Sequence, residues 1–109
     1  MANTFGNVAA STTDSSLVTA RAGAKIRVYS VAAVSGATAT NVTFNSKGSG
    51  AGTAISPAFA FGANGGAVLP YNPQGWFDTN RGEGLTATTG AGSTQGLLVS
   101  YAYISGANT

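Results

Sequence analysis

The chain contains no cysteine and no histidine. Without cysteine there is no disulfide, no thiolate metal site and no sulfur nucleophile, and the chain can exist in any redox compartment. Without histidine it lacks the side chain that most often serves as general base at neutral pH and as metal ligand. Charge is scarce too, at 7% of the 109 residues, against about 25% in an ordinary soluble domain. The net charge of +2 rests on five basic residues, Arg21, Lys25, Arg27, Lys47 and Arg81, spread along the chain. That is no patch for neutralising several phosphates, so no nucleic-acid partner is expected. No apolar run approaches the roughly 20 residues of a membrane span. The start, MANTFGNVAAS, has neither the basic flank nor the apolar centre of a signal peptide. The expectation is a soluble protein with no membrane partner. No window places apolar residues at helical spacing between caps, so helices are not expected either.

What the chain does have is glycine, 16 of them, set between short apolar runs rich in Val, Thr, Phe and Tyr. Glycine supplies positive φ without steric cost, so this pattern predicts many short strands joined by tight turns. Strands are expected at Ser16–Ala20, Lys25–Val34, Asn41–Asn45, Thr53–Phe61, Gly66–Tyr71, Gly75–Asp78, Gly84–Thr88 and Gln95–Ile104. About eight strands in one domain of this length predict an all-β, two-sheet antiparallel sandwich of jelly-roll type. The domain proper is expected over 14–109. Residues 1–13, small and polar with Phe5 and Val8 as anchors, are expected to form an extended arm lying on a neighbour.

Alternation within the runs assigns faces. In AISPAFAF, Ile55, Phe59 and Phe61 share the core parity, and Pro57, which cannot donate to a ladder, places this strand at an edge or a bulge. In GLLVSYAYI, Leu97, Val99, Tyr101 and Tyr103 line one side and Leu98, Ser100, Ala102 and Ile104 the other. Both sides are too apolar to be left in water, so one is expected to meet covering elements or a neighbouring chain. Tyr101 and Tyr103 are therefore candidate contacts with another chain, with Phe5 and Val8.

The densest stretch is PYNPQGWFDTNRGEGL, Pro70 to Leu85, with the single Trp. If Gly75–Asp78 is extended, Trp76 and Phe77 point to opposite faces and only one of them reaches the domain's own core. The other is an aromatic packed under its own loop, a subunit contact or a platform for a sugar ring. Asp78 and Glu83 flank Arg81 in DTNRGEG. Two carboxylates are what glycoside hydrolysis needs, yet an acid beside an arginine on an exposed turn has no reason for a raised pKa. A local ion pair between Arg81 and one of the two acids, fixing the turn, is the expected use. The echo of a calcium loop in Asp78, Asn80 and Gly82 fails at its twelfth position, which is Thr89. The glycines of GAGSTQG and GSGAG precede no Lys-Ser/Thr pair or helix start, so they are no phosphate cradle. No catalytic residue, metal site or cofactor is expected.

From about Ala24 to Ile104 the order AKIRVYSVAAVSG, NVTFNS, GGAVLPYNPQGWFDTNRGEGLTATTGAG and GLLVSYAYI resembles small structural proteins of tailed bacteriophages. Among these, short single-sandwich chains are similar to head decoration, or cement, proteins, which sit as trimers on the outside of the capsid. The resemblance implies a virion protein made in the host cytoplasm, with itself (as a homotrimer) and the major capsid protein as partners. A tail-fibre or baseplate module binding host-surface glycan is the alternative, but such modules usually belong to longer chains with a trimerising stalk. A chain that ends five residues after its last expected strand suits a self-contained cement unit.

Overall fold

The computed structural model describes residues 2–105. They form ten strands: β1 Ala2–Val8, β2 Ser15–Val18, β3 Ala24–Ser35, β4 Thr40–Lys47, β5 Thr53–Ala54, β6 Phe59–Phe61, β7 Gly66–Leu69, β8 Phe77–Asp78, β9 Gly84–Thr89 and β10 Gln95–Ser105. One sheet has the order β1-β10-β3, and its fourth position is shared by β7 and β8. The other has the order β2-β9-β4, with β5 and β6 sharing the fourth. Every pairing is antiparallel. The chain passes from one sheet to the other and back, which is the jelly-roll connection of a two-sheet sandwich.

Ten segments thus fill eight strand positions, because each sheet has one broken edge. The expected strand Thr53–Phe61 is split around Pro57 and the outer edge of β3 around Pro70 and Pro73, where a missing N–H interrupts the ladder. The first break is patched by a side chain: the Phe44 amide donates to Ser56 Oγ at 2.9 Å, while the Phe44 carbonyl accepts from the Ile55 amide at 2.9 Å.

The long strand β3 carries a bulge. Opposite β10, Ser100 faces Ser30 but Tyr101 faces Val28, so Tyr29 is an extra residue. Before it Ala24, Ile26 and Val28 are buried, and after it Val31, Ala33 and Ser35 are. One inserted residue changes the inward parity, and both halves of the strand keep their apolar residues in the core. That core contains Ile26, Val28, Val42, Phe44, Leu85, Ala87 and Val99, all fully buried. Phe44 is its centre, stacked on Phe77 with ring centroids 5.3 Å apart and edge-on to Phe59 at 6.3 Å.

The expected N-terminal arm is the point of difference. Residues Ala2–Val8 pair with Tyr101–Gln95 of the same chain, making β1 a strand of the sandwich. Beyond it the Ser11 amide donates to the Gly90 carbonyl at 2.8 Å, and Thr89 and Thr12 are joined through the Thr89 amide and Thr12 carbonyl at 2.8 Å. Val8 is 2% exposed and lies in the core, whereas Phe5, of the other parity, is 78% exposed. Backbone pairing rather than apolar bulk holds this strand, which is why its small polar residues gave no strand signal. Met1 and residues 106–109 lie outside the described residues.

Two stability outcomes follow from this packing. Phe44→Ala removes the central ring and should cost about 3–5 kcal/mol, read from the urea midpoint. Gln95 is wholly buried, and neither its Oε1 nor its Nε2 meets a hydrogen-bond partner among the described residues. An unpaired buried amide is a cost, so Gln95→Met should raise stability by about 1 kcal/mol. A loss of stability instead would mean that the amide is satisfied by an internal water.

Candidate functional site

The densest stretch of the sequence proves to be a corner and a buckle. The corner, Pro70–Trp76, hangs on the bulge of β3: the Asn72 amide donates to the Tyr29 carbonyl at 3.0 Å and the Trp76 amide to the Val28 carbonyl at 2.8 Å. Asn72 closes the turn at Pro73, accepting from the Gln74 amide at 3.0 Å through Oδ1 and, through its carbonyl, from the Gly75 amide at 2.9 Å. Gly75 has φ +83°, and a Cβ there would lie 2.5 Å from Arg27 Cγ, so the chain can cross β3 at this point only without a side chain. Trp76 and Phe77 do diverge. Phe77 packs inward on Phe44, which removes it from the candidate contacts, and Trp76 stays 42% exposed with Nε1 bonded to the Pro70 carbonyl at 2.8 Å. Tyr71, in the same corner and 58% exposed, stacks on Tyr29 at 5.9 Å.

Residues 79–83 form the buckle, which carries the chain from β8 in one sheet to β9 in the other. Thr79 is bonded to Ile26 twice, by its amide to the carbonyl and by Oγ1 accepting from the amide, both at 2.9 Å. Ser46, at the end of β4, donates to Glu83 Oε1 at 2.6 Å and accepts from the Asn80 amide at 2.9 Å. Arg81 donates to the carbonyls of Gly23 at 3.1 Å and Ile104 at 3.4 Å. Asp78 turns to β3: it lies opposite Arg27, binds Nε at 2.9 Å and Nη2 at 3.1 Å, and meets Lys25 Nζ at 3.2 Å. The ion partners of Asp78 are thus Arg27, 51 residues distant, and Lys25, both set by strand register rather than by the turn.

Sequence reasoning passed over the third acid, Asp14. In the left-handed region at φ +51°, it accepts from the Gly52 amide at 3.0 Å, Thr86 Oγ1 at 2.9 Å and Asn45 Nδ2 at 3.2 Å. The Gly52 amide is the main cause of a pKa below the usual aspartate value, burial opposing it and Thr86, Lys47 and Asn45 assisting. At Asp78 burial pushes the carboxyl up, but Arg27 and Lys25 outweigh it and the pKa is also lowered. All three carboxylates are thus loop fasteners. No group of three metal-ligating side chains occurs among the described residues.

The tyrosines of β10 face the inner side at the far end of the sandwich. Tyr103 donates to the Thr19 carbonyl at 2.6 Å, packs edge-on to Tyr101 at 5.8 Å, and carries the Arg21 guanidinium 3.8 Å above its ring. They seal that end under residues 19–21, and the exposed apolar surface lies elsewhere.

That surface is the outer face of the first sheet. Strand register aligns Phe5 with Leu98, Leu98 with Ala32 and Ala32 with Val68, one row across four strands. Phe5 is 78%, Leu98 49% and Val68 70% exposed, and Val34 stands in the next row at 59%. Towards the other end the face turns polar through Asn3, Ser100 and Ser30, then charged at Arg27 and Asp78. Leu98 was legible in the sequence as part of an apolar second side to β10; Phe5 was legible only as an anchor, and Val68 not at all.

Comparison of the chain with family models, curated proteins and solved structures finds no match in any of the three.

The fasteners make acid sensitivity a test. For an aspartate whose folded pKa lies below the unfolded value, near 3.8, the stabilisation is complete above that value and is lost as pH falls through the folded one. The urea midpoint should therefore hold from neutral pH to about 5 and fall below about 4. Asp14→Ala should cost about 1–2 kcal/mol at pH 7 and flatten that acid limb.

Proposed function

We propose that this chain is a virion structural protein of a tailed bacteriophage, a decoration or cement protein that binds the outer capsid surface as an oligomer and stabilises the head. The observation that carries this reading is the apolar row Phe5, Leu98, Ala32 and Val68 on one open sheet face. A patch of this kind on a chain with 7% charge is easily desolvated and suits a broad, mostly apolar and hydrogen-bonded contact with another protein. The jelly roll supports the reading as an architecture common to viral capsid and lectin domains, and the resemblance of Ala24 to Ile104 to phage structural proteins agrees with it. The carboxylates that a hydrolase would use are spent on fastening loops, so the proposal is non-catalytic. The contact partner is the major capsid protein, and binding across several capsid subunits adds its free energy to the assembled state alone.

A glycan-binding tail-fibre or baseplate module is the second reading, favoured by one observation: two aromatics of the corner, Trp76 and Tyr71, are both exposed. Of the homotrimer expected from the sequence, with one member of the Trp76/Phe77 pair as a contact, Phe77 lies in the core and Trp76 is the exposed member left to make it.

Mixing the protein with undecorated mature shells distinguishes the two readings. Decorated shells should resist heat better, with occupancy nearly constant between low and moderate salt because few charges take part. Val68→Asp, at an exposed site, should leave folding intact and lower shell affinity about tenfold or more. Negligible occupancy, or retention of host polysaccharide abolished by Trp76→Ala, would replace the cement reading with the fibre reading.

A further inference from the structure

A β-sandwich has four sheet edges, and exposed edges recruit other strands unless they are blunted. Three of the four are blunted here. The β5/β6 edge is broken at Pro57 and the β7/β8 edge at Pro70 and Pro73. Strand β2 has only four residues, with a register shift between Ser16 and Val18. Strand β1 differs in length and regularity: it has seven residues, no proline, no charge and unbroken register with β10, and no described strand lies on its outer side.

We infer that β1 is the edge through which two copies of this chain join, pairing antiparallel about a two-fold axis at Phe5. The strand's own sequence, ANTFGNV, suits that operation. Centred on Phe5, antiparallel pairing sets Phe5 opposite Phe5 of the second copy, Asn3 opposite Asn7, Thr4 opposite Gly6 and Ala2 opposite Val8. Asn3, Phe5 and Asn7 share the outer face, so an aromatic pair sits on the axis with an amide pair on either side. Asn3 Oδ1 already accepts from Ser100 Oγ at 2.6 Å, which orients its amide so that the NH2 can donate to Asn7 of the second copy. With no charged side chain on the strand, like meets like without repulsion. A two-fold contact requires such self-complementarity.

The product is one continuous sheet of eight strand positions. Its outer face carries the row Val68, Ala32, Leu98, Phe5 and then the same residues in reverse order, roughly 33 Å from end to end at the usual strand spacing. This supplies the oligomer that the decoration reading calls for, with a doubled apolar footprint, and it gives two-fold symmetry where a trimer was expected. The inference can be tested on the free protein, so its failure would leave shell binding to be judged separately.

The absence of native cysteine makes cross-linking unambiguous. Directly opposed residues in an antiparallel pair have Cα atoms about 4.5 or 5.5 Å apart, both within disulfide range. Phe5→Cys should therefore oxidise rapidly to a covalent dimer. Leu98→Cys is the control, since the two β10 strands would be three strand spacings apart, about 14 Å, and should stay reduced. Light scattering of the unmodified protein at tens of micromolar should report a dimer. Phe5→Lys, at a site 78% exposed in the single chain, should give a folded monomer with an unchanged circular dichroism spectrum. A monomeric or trimeric unmodified protein, a Phe5→Lys variant that keeps the dimer mass, or Leu98→Cys cross-linking as fast as Phe5→Cys, the sign of sheets stacked face to face, would each overturn the inference.

Discussion

The structure depends on a single inserted residue, Tyr29, in the middle of β3. A strand of twelve residues with strict alternation would place either Ile26 and Val28 or Val31 and Ala33 in water, because side-chain parity has a period of two. The bulge resolves this, and it also decides the edge of the sheet. Strand β7 pairs with the half of β3 after the bulge and β8 with the half before it. Between them the carbonyls of Val28 and Tyr29 accept the amides of Trp76 and Asn72. The corner therefore lies where the strand is kinked, and the direction in which Phe77 and Trp76 leave the chain follows from it.

Scarcity of charge shapes the rest. Each of the three acids joins segments far apart in sequence: Asp14 with residues 45, 52 and 86, Asp78 with 25 and 27, Glu83 with 46. Hydrogen bonds to ionised groups are stronger than neutral ones, so a few charges fasten segments within each sheet, Asp78 to β3 in the first and Asp14 to β4 and β9 in the second, where a large core is not possible. The same economy leaves the outer face of the first sheet without charge across its apolar row, and a surface built that way is suited to contact with protein.

The edges and the face belong to one arrangement. Proline and shortness close three edges, and the fourth leads directly from the free side of β1 to the apolar row, since Phe5 belongs to both. Self-association at the edge and adhesion by the face would then use different groups, backbone and the Phe5 ring for the first, Leu98 and Val68 for the second.

Local pattern by itself determined the all-β class, the two-sheet sandwich, seven of the eight strand positions, though Thr53–Phe61 as one run rather than the two strands β5 and β6, and the divergence of Trp76 and Phe77. Each of these depends on residue period or on the conformational limits of glycine and proline, which act over a few residues. Tertiary structure decided what is non-local. The strand β1 exists because β10 offers it a ladder, although its sequence has little apolar alternation. Asp78 meets Arg27 because register sets β8 against β3. Phe77, and not Trp76, goes inward because the corner is anchored on the bulge, and Phe5 joins Leu98 and Val68 in one row because four strands distant in sequence are neighbours in the sheet. Such pairings are contacts between faces, and a face has no expression in sequence until the strands that share it are brought side by side.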